Sequence, residues 1–284
     1  MRITVVIPTY NRIGVIQRAI ESVLNQTRPA DQIIVVDDGS TDGTATLLEK
    51  TYGNQLTLTS LPENMGVSAA RNHGIRKSTG DWIALLDSDD EWIKTKLATQ
   101  QAALEQASHV LCHTEEIWIR NGSRVNAMNK HTKRGGYIFQ YCLPLCVISP
   151  SSVLIAKKIF DDVGYFDETL PACEDYDLWL KICARHPVLY VPTPQLIKYG
   201  GHQDQLSRQH WGMDRFRIKA MINRLEEGHL TDDQIKQTHE CLLTKAQIVL
   251  KGAIKHENHA MIEYCQNILD RNFQSAKGAS TVND

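Results

Sequence analysis

Three short apolar runs, two of them closed by acids, constrain this chain more than any other feature. "ITVVIP" (3–8), "QIIVVDD" (32–38) and "WIALLDSDD" (82–90) are continuous in aliphatic side chains rather than alternating. A continuous run of that length is a strand covered on both faces, the habit of parallel sheets. Between the first two, Val15, Ile16, Ala19, Ile20, Val23 and Leu24 recur with helical spacing. A short helix through Leu47 and Leu48, a strand "LTLTSL" (56–61) and a helix over 66–78 continue the rhythm. Strands alternating with helices are βαβ units. The reading is an α/β fold whose residues 1–92 form a Rossmann-like half.

After residue 92 the rhythm changes. The spacing predicts a helix over 94–107, a strand in "HVLCHTEEIWIR" and a turn at "RGGYI" leading into another strand. Strand, short helix and turn follow in "SSVLIAKKIFDDVGYFD", and "EDYDLWLKICARH" (174–186) reads as a helix with Leu178, Trp179 and Ile182 on one face. "VLYVP" and "QLIKYGG" read as two short strands, so residues 93–203 complete the domain. Residues 204–273 turn helical and polar, with helices expected at 213–228, 231–254 and 256–273. The tail 274–284 lacks core-forming residues and reads as disordered.

Composition excludes several classes. Of 284 residues, 42% are hydrophobic and 23% charged, as in an ordinary globular protein. A net charge of −2 argues against a nucleic-acid partner held by bulk positive field. No apolar run approaches the roughly 18 residues of a membrane span. The opening "MRITVVIPTYN" reads as a strand, not a signal peptide. Seven scattered cysteines in an odd count suit reduced thiols and a cytoplasmic protein, at most peripheral to the inner face of the membrane.

The chemistry is expected where strands end in acid. Asp87, Asp89, Asp90 and Glu91 place four carboxylates in five positions behind the buried run 83–86. Like charges so close repel. A divalent cation among Asp87, Asp89 and Asp90 would relieve the crowding, and oxygen ligands without His or Cys select Mg²⁺ or Mn²⁺. In open α/β sheets ligands bind beyond the carboxyl ends of the strands, so "VVDD" and "DSDD" should face one crevice. The metal would then hold an anionic ligand such as a diphosphate. No GxxxxGK[ST] loop exists, and the first strand ends in "PTYN" rather than a Gly-rich loop. The Tyr10 ring suits a nucleobase, Asp37 or Asp38 could accept from a pyrimidine N–H or a ribose hydroxyl, and Arg71 could meet base or phosphate, or merely lie on a helix surface. An EF-hand loop fails because its sixth position is Trp92, and a DxDxT phosphatase motif fails because Glu91 stands where Thr belongs.

Taken in order, "VVIPTYNR", "SVLNQT", "IIVVDDGSTDGT", "NMGVSAARNHGI" and "GDWIALLDSDDEW" resemble the nucleotide-sugar domain of family 2 glycosyltransferases, inverting enzymes of the GT-A fold. "GYFDETLPACEDYDLWLKI" resembles the acceptor-side segment of the same family, and the likeness covers about residues 1–200. The resemblance implies that Pro8, Thr9, Tyr10, Asp37, Asp38 and Arg71 surround a uridine. It implies that Asp87, Ser88 and Asp89 form the DxD motif on ribose, diphosphate and Mn²⁺ or Mg²⁺, with Asp90 as a further ligand. Asp175 matches the catalytic base, with Glu174 and Trp179 beside the acceptor. His202 in "KYGGHQDQLS" would reach metal or phosphate, although Gly200 and Gly201 stand where relatives carry Arg.

The implied reaction moves a sugar from a nucleotide diphosphate sugar to the hydroxyl of a saccharide or lipid-linked saccharide, as in surface polysaccharide synthesis. The alternatives are a sugar nucleotidyltransferase and an inactive nucleotide-sugar-binding module. Simpler roles compete at single residues. Asp37 and Asp38 could only open the "DDGS" turn, Gly39 and Gly43 could only serve turn geometry, Glu174 and Asp175 could cap a helix, and Trp82, Trp92 and Trp179 read as core. The stripe Leu242, Leu243, Ala246, Val249, Leu250 and Ala253, with Lys245, Lys251 and Lys255 around it, would pack on the catalytic domain, form a homodimer or dock on anionic membrane.

Overall fold

The computed structural model describes residues 1–126, 131–201 and 210–278, with side chains through Asp270. It divides into two compact units, 1–205 and 206–284.

The first unit is built on one mixed sheet. Strands β1 (Ile3–Thr9), β2 (Gln32–Asp37), β3 (Thr57–Ser60) and β4 (Trp82–Leu85) pair in parallel in the order β3-β2-β1-β4. The crossovers are α1 (Ile16–Leu24), α2 (Thr44–Tyr52) and α3 (Val67–Lys77). Alternate residues of β1 serve opposite faces. Ile3, Val5 and Ile7 share a core with Ile16, Ala19, Ile20, Val23 and Leu48 of α1 and α2. On the other face α3 lies so close that a Cβ on Gly74 would sit 2.4 Å from Val6 Cγ1. Only glycine admits that approach of helix to strand.

Beyond β4 the sheet turns antiparallel. Strand β8 (Leu154–Ala156) pairs with β4 and with β6 (Leu111–Arg120), and β6 runs parallel to β9 (Leu189–Gly200). The short β5 (Glu91–Trp92) closes the edge antiparallel to β9, while β7 (Ser123–Val125) makes a hairpin with β6. Helices α4 (Lys96–Glu105), α5 (Phe139–Cys142), α6 (Ile159–Val163) and α7 (Glu174–Cys183) complete the unit.

Two sequence readings are corrected here. "VLYVP" and "QLIKYGG" form one strand, not two. Pro192 and Pro194 are tolerated because the register against β6 shifts at Thr114, Glu115 and Glu116, a bulge where ladder hydrogen bonds are not needed. "RGGYI" leads into no strand; Gly136 makes a single bridge to Val188 and α5 follows at once.

The second unit holds helices Asp214–Glu226, Asp232–Lys255 and His259–Gly278. The middle helix starts in a capping box between Thr231 and Gln234. Of its apolar stripe, Leu242, Ala246, Val249 and Ala253 are buried, and Lys245, read as a polar-face residue, is buried against Asp214 Oδ1 at 2.8 Å. That stripe is a packing face. The last helix persists past 273, where a disordered tail was expected. Ala and Lys in "QSAKG" are strong helix formers and can extend it without a core. Residues 279–284 of that expected tail lie outside the described residues.

Candidate active site

Parallel pairing sets the carboxyl ends of β1, β2 and β4 side by side. Thr9 is in register with Asp37, Asp38 N donates to Thr9 O at 2.8 Å, and Leu86 N donates to Val6 O at 3.1 Å. The loop after β1 is tied to the loop after β2. Asn11, at φ +50°, donates its N–H to Ser40 Oγ and accepts Thr41 N on its Oδ1, both at 2.8 Å. Tyr10 stays 41% exposed beside them. Pro8 lies within β1, and Thr9 is buried with no partner for its hydroxyl among the described residues.

The two acids at the end of β2 differ. Asp38 is spent on the chain, its Oδ1 accepting Met65 N at 2.8 Å and its Oδ2 accepting Gly66 N at 2.9 Å. Burial, opposed by these bonds, raises its carboxyl above the usual range. Asp37 is only 2% exposed, and among the described residues its Oδ1 has no hydrogen-bond partner. Its Oδ2 accepts Ser40 N at 3.3 Å. The intervening turn demands more of Gly39 than turn geometry. A Cβ there would lie 2.7 Å from the carbonyl carbon of Glu63, so the glycine also lets the loop 63–66 close over Asp38.

The acid run 87–90 follows β4, and its four positions have separate surroundings. Asp87 Oδ1 accepts Arg71 Nη2 at 2.7 Å. Burial works against ionisation of Asp87, but the adjacent guanidinium outweighs it and holds the carboxyl below its ordinary value. Ser88 is buried. Asp89 is raised, by burial and then by Asp87. Among the described residues no side chain donates to its carboxylate; its carbonyl accepts Arg18 Nη2 at 2.6 Å. Asp90 is 2% exposed and accepts Ser151 Oγ at 2.6 Å, and burial raises it to about 8 against the pull of Lys198.

Facing the acid run through Arg71, α7 begins with Glu174 and Asp175. Its N-cap, Cys173, takes φ +62° and makes no side-chain cap. Glu174 is buried and its Oε1 accepts Arg71 Nη1 at 2.6 Å. Burial and then Asp175 raise Glu174 to about 7, with Arg71 pulling the other way. Arg71 thus joins the two acidic segments, one guanidinium nitrogen on each. It is 3% exposed and lies 5.2 Å from the Phe166 ring. The candidate base Asp175 is half-buried, with its Oδ1 accepting Tyr176 N at 2.7 Å. Trp179, a candidate acceptor contact, is 1% exposed and belongs to the core, so it offers no ring face to a sugar. Trp92 is also core, its Nε1 donating to Ser151 O at 2.7 Å. His202 lies outside the described residues.

The sequence reading missed Lys198 of β9. Its ammonium is charge-coupled to Asp90, Glu116, Asp87 and Asp175, which together overcome burial and raise it. The β5–β9 pairing brings it there, since Glu91 is opposite Ile197. It missed Ser151, which also accepts Asp87 N at 3.0 Å. It missed Arg18, which stacks 3.6 Å over the Tyr199 ring while gripping the acid loop. A lone basic residue inside an otherwise apolar strand, as in "QLIKY", is the one signal that could have flagged Lys198.

Among the described residues, no group of three or more His, Cys, Asp or Glu is arranged to hold a metal ion. The donor set nevertheless suits a hard cation in part. The Asp89 carboxylate, next to Asp87, accepts no side-chain donor among the described residues, and oxygens of a bound diphosphate would complete the shell.

Residues 4–164 match the family model for glycosyl transferase family 2. The chain is 33% identical to an uncharacterized glycosyltransferase of Rickettsia bellii over 65% of its own length, but spans only 27% of that relative. It is 28% identical to WfaP of Escherichia coli, a UDP-Glc:alpha-D-GlcNAc-diphosphoundecaprenol beta-1,3-glucosyltransferase, over 64% of this chain and 70% of WfaP. Its fold superposes on Staphylococcus aureus TarS, solved with UDP-GlcNAc, at a TM-score of 0.70 and 22% identity, covering 86% of this chain and 71% of TarS. The sheet and flanking helices are therefore those of a GT-A fold, and the chain belongs to glycosyltransferase family 2.

Proposed function

We propose that this crevice transfers one sugar from a nucleotide diphosphate sugar, a UDP-sugar by its relatives, to an acceptor hydroxyl with inversion, in the synthesis of a polysaccharide or glycoconjugate. One observation carries the reading: a single buried Arg71 fastens the DxD segment of the donor side to the Glu174–Asp175 segment of the acceptor side. Donor and acceptor chemistry are thereby held at fixed separation.

Each residue contributes by its own chemistry. The unpartnered Asp37 Oδ1 is a buried acceptor for an N–H of a pyrimidine, and the exposed Tyr10 ring offers a face to the same base. Asp38 shapes the loop rather than touching the ligand. Asp87 and Asp89 would hold Mn²⁺ or Mg²⁺, which when bound neutralises the leaving diphosphate. Lys198 adds fixed positive charge on the same side. Asp175 takes the proton from the attacking hydroxyl, which grows acidic as its bond to the sugar forms. No helix among the described residues is long and apolar enough to cross a membrane. A lipid-linked acceptor would therefore reach these residues from the membrane surface.

The test is a screen of nucleotide-sugars with Mn²⁺ and saccharide acceptors, read as released nucleotide. A nucleotidyltransferase would release no UDP, and an inactive module would bind without turnover. In the productive pair, Asp175→Asn should keep melting temperature and donor affinity while the transfer rate falls about 10²–10⁴-fold. A rate within about threefold of wild type would overturn the base assignment.

A further inference from the structure

Asp175 is held from a second direction by a residue that no motif names. Cys146 Sγ lies 3.2 Å from Asp175 Oδ2. The cysteine belongs to the loop after α5, and that loop is pinned to α7: Tyr176, fully buried, donates its hydroxyl to Leu143 O at 2.7 Å. The same Tyr176 supplies the N–H on Asp175 Oδ1. One residue therefore fixes both sides of the contact.

The chemistry of the pair is specific. Burial, and then the charge of Asp175, push the Cys146 thiol well above its ordinary value, so it remains a protonated donor. Its second acceptor, Ile148 O, is farther away at 3.4 Å. A carboxylate anchored only through Oδ1 can still swing about that bond, whereas an anchor on each oxygen fixes its plane. A base must present a lone pair along the line of the attacked proton, so the plane matters. A thiol is a weak donor. It can orient the carboxylate without bringing a charge to it.

We propose that Cys146 is a positioning residue for the transfer reaction, its S–H fixing the carboxylate plane of Asp175; this rests on Asp175 being the base. The prediction concerns kcat rather than donor binding. Cys146→Ala should lower kcat about tenfold with the donor KM and melting temperature near wild type, and Cys146→Ser, which restores a donor, should recover most of the loss. The Asp175→Asn background separates positioning from general packing. There Cys146→Ala should leave the residual rate unchanged, because the group it orients no longer acts. An unchanged kcat in Cys146→Ala, an equal loss in Ala and Ser variants, or a further tenfold loss on top of Asp175→Asn would each overturn the proposal. If instead Asp175→Asn itself turns over like wild type, the reading of Asp175 as the base fails, which is a different result from failure of the thiol.

Discussion

Arg71 gives the sharpest test of how the site is held. The sequence suggests a ligand contact, and a ligand contact can be removed at little cost to the fold. The structure puts the guanidinium at 3% exposure between Asp87 at 2.7 Å and Glu174 at 2.6 Å. Arg71→Met would leave two carboxylates facing each other, with the charge of Lys198 on Asp87 as the remaining compensation. Removing one partner of a buried ion pair costs about 3–5 kcal/mol. In a unit of this size each kcal/mol lowers Tm by roughly 2–4 °C, so a fall of about 6–20 °C is expected. The loss should depend on pH. In the wild type Asp87 is held below its ordinary value, so it adds stability that is present above that value and is lost as pH falls through the depressed one. Without Arg71 both acids should rise in the folded state, and a raised acid loses stability as pH climbs. The variant's deficit should therefore be small near pH 5 and grow through about 7, where Glu174 already titrates. Urea unfolding of both proteins at pH 5 and pH 8 measures it. Adding Glu174→Gln should recover part of the loss at pH 8. A deficit under about 1 kcal/mol, or one identical at the two pH values, would refute the clamp and return Arg71 to a ligand-binding role.

Other outcomes follow from the same contacts. Asp89→Ala should abolish the Mn²⁺-dependent part of UDP binding and leave Tm equal or higher, because a carboxylate raised by burial and by Asp87 is removed; unchanged metal-dependent affinity by calorimetry would sink the DxD assignment. Gly74→Ala should cost about 1–3 kcal/mol, since its Cβ would meet Val6 Cγ1 at 2.4 Å, and a rise in Tm from better helix propensity would show that strand and helix can part. Lys96 is fully buried, its ammonium bonded to Gln100 Oε1 at 2.7 Å and Val153 O at 3.2 Å, and burial lowers it to about 7. The unfolded chain then binds the extra proton between about pH 7 and the ordinary lysine value. Wild-type stability should rise with pH across that window and Lys96→Met should flatten the rise; parallel curves would count against a neutral buried amine.

How far the sequence could be read depends on the range of each interaction. The runs 3–8, 32–38 and 82–86 were legible as buried parallel strands because covering both faces of a strand leaves no polar position inside it. Their acids were legible as neighbours because parallel strands end at the same edge. The merged strand β9 was not, since two prolines argue locally for a break and the partner that tolerates the bulge, β6, lies some 75 residues earlier in the chain. The loop bonds of Asp38 were not legible for a similar reason: its partners Met65 and Gly66 come from the far side of β3. Periodicity likewise set Lys245 on the polar face, and only the fold supplied Asp214 as its partner.

The crowding of Asp87, Asp89, Asp90 and Glu91 shows what this means for function. Read along the chain, four carboxylates in five positions demand a cation, and a bound metal is the only one in view. In the folded unit cations and donors from several elements meet these acids. Arg71 from α3 bonds to Asp87, Lys198 from β9 is coupled to Asp87 and Asp90, Ser151 donates to Asp90, and Tyr199 donates to Glu91 at 2.6 Å. Asp87, Asp90 and Glu91 are thus bonded by other side chains, whereas Asp89, drawn on by the charges of Arg12 and Lys198, accepts no side-chain donor among the described residues. Much of the crowding is therefore offset by the chain itself. A metal bound at Asp89 would be needed only when a diphosphate arrives to share it, so the affinity for Mn²⁺ should be weak without nucleotide and strong with it.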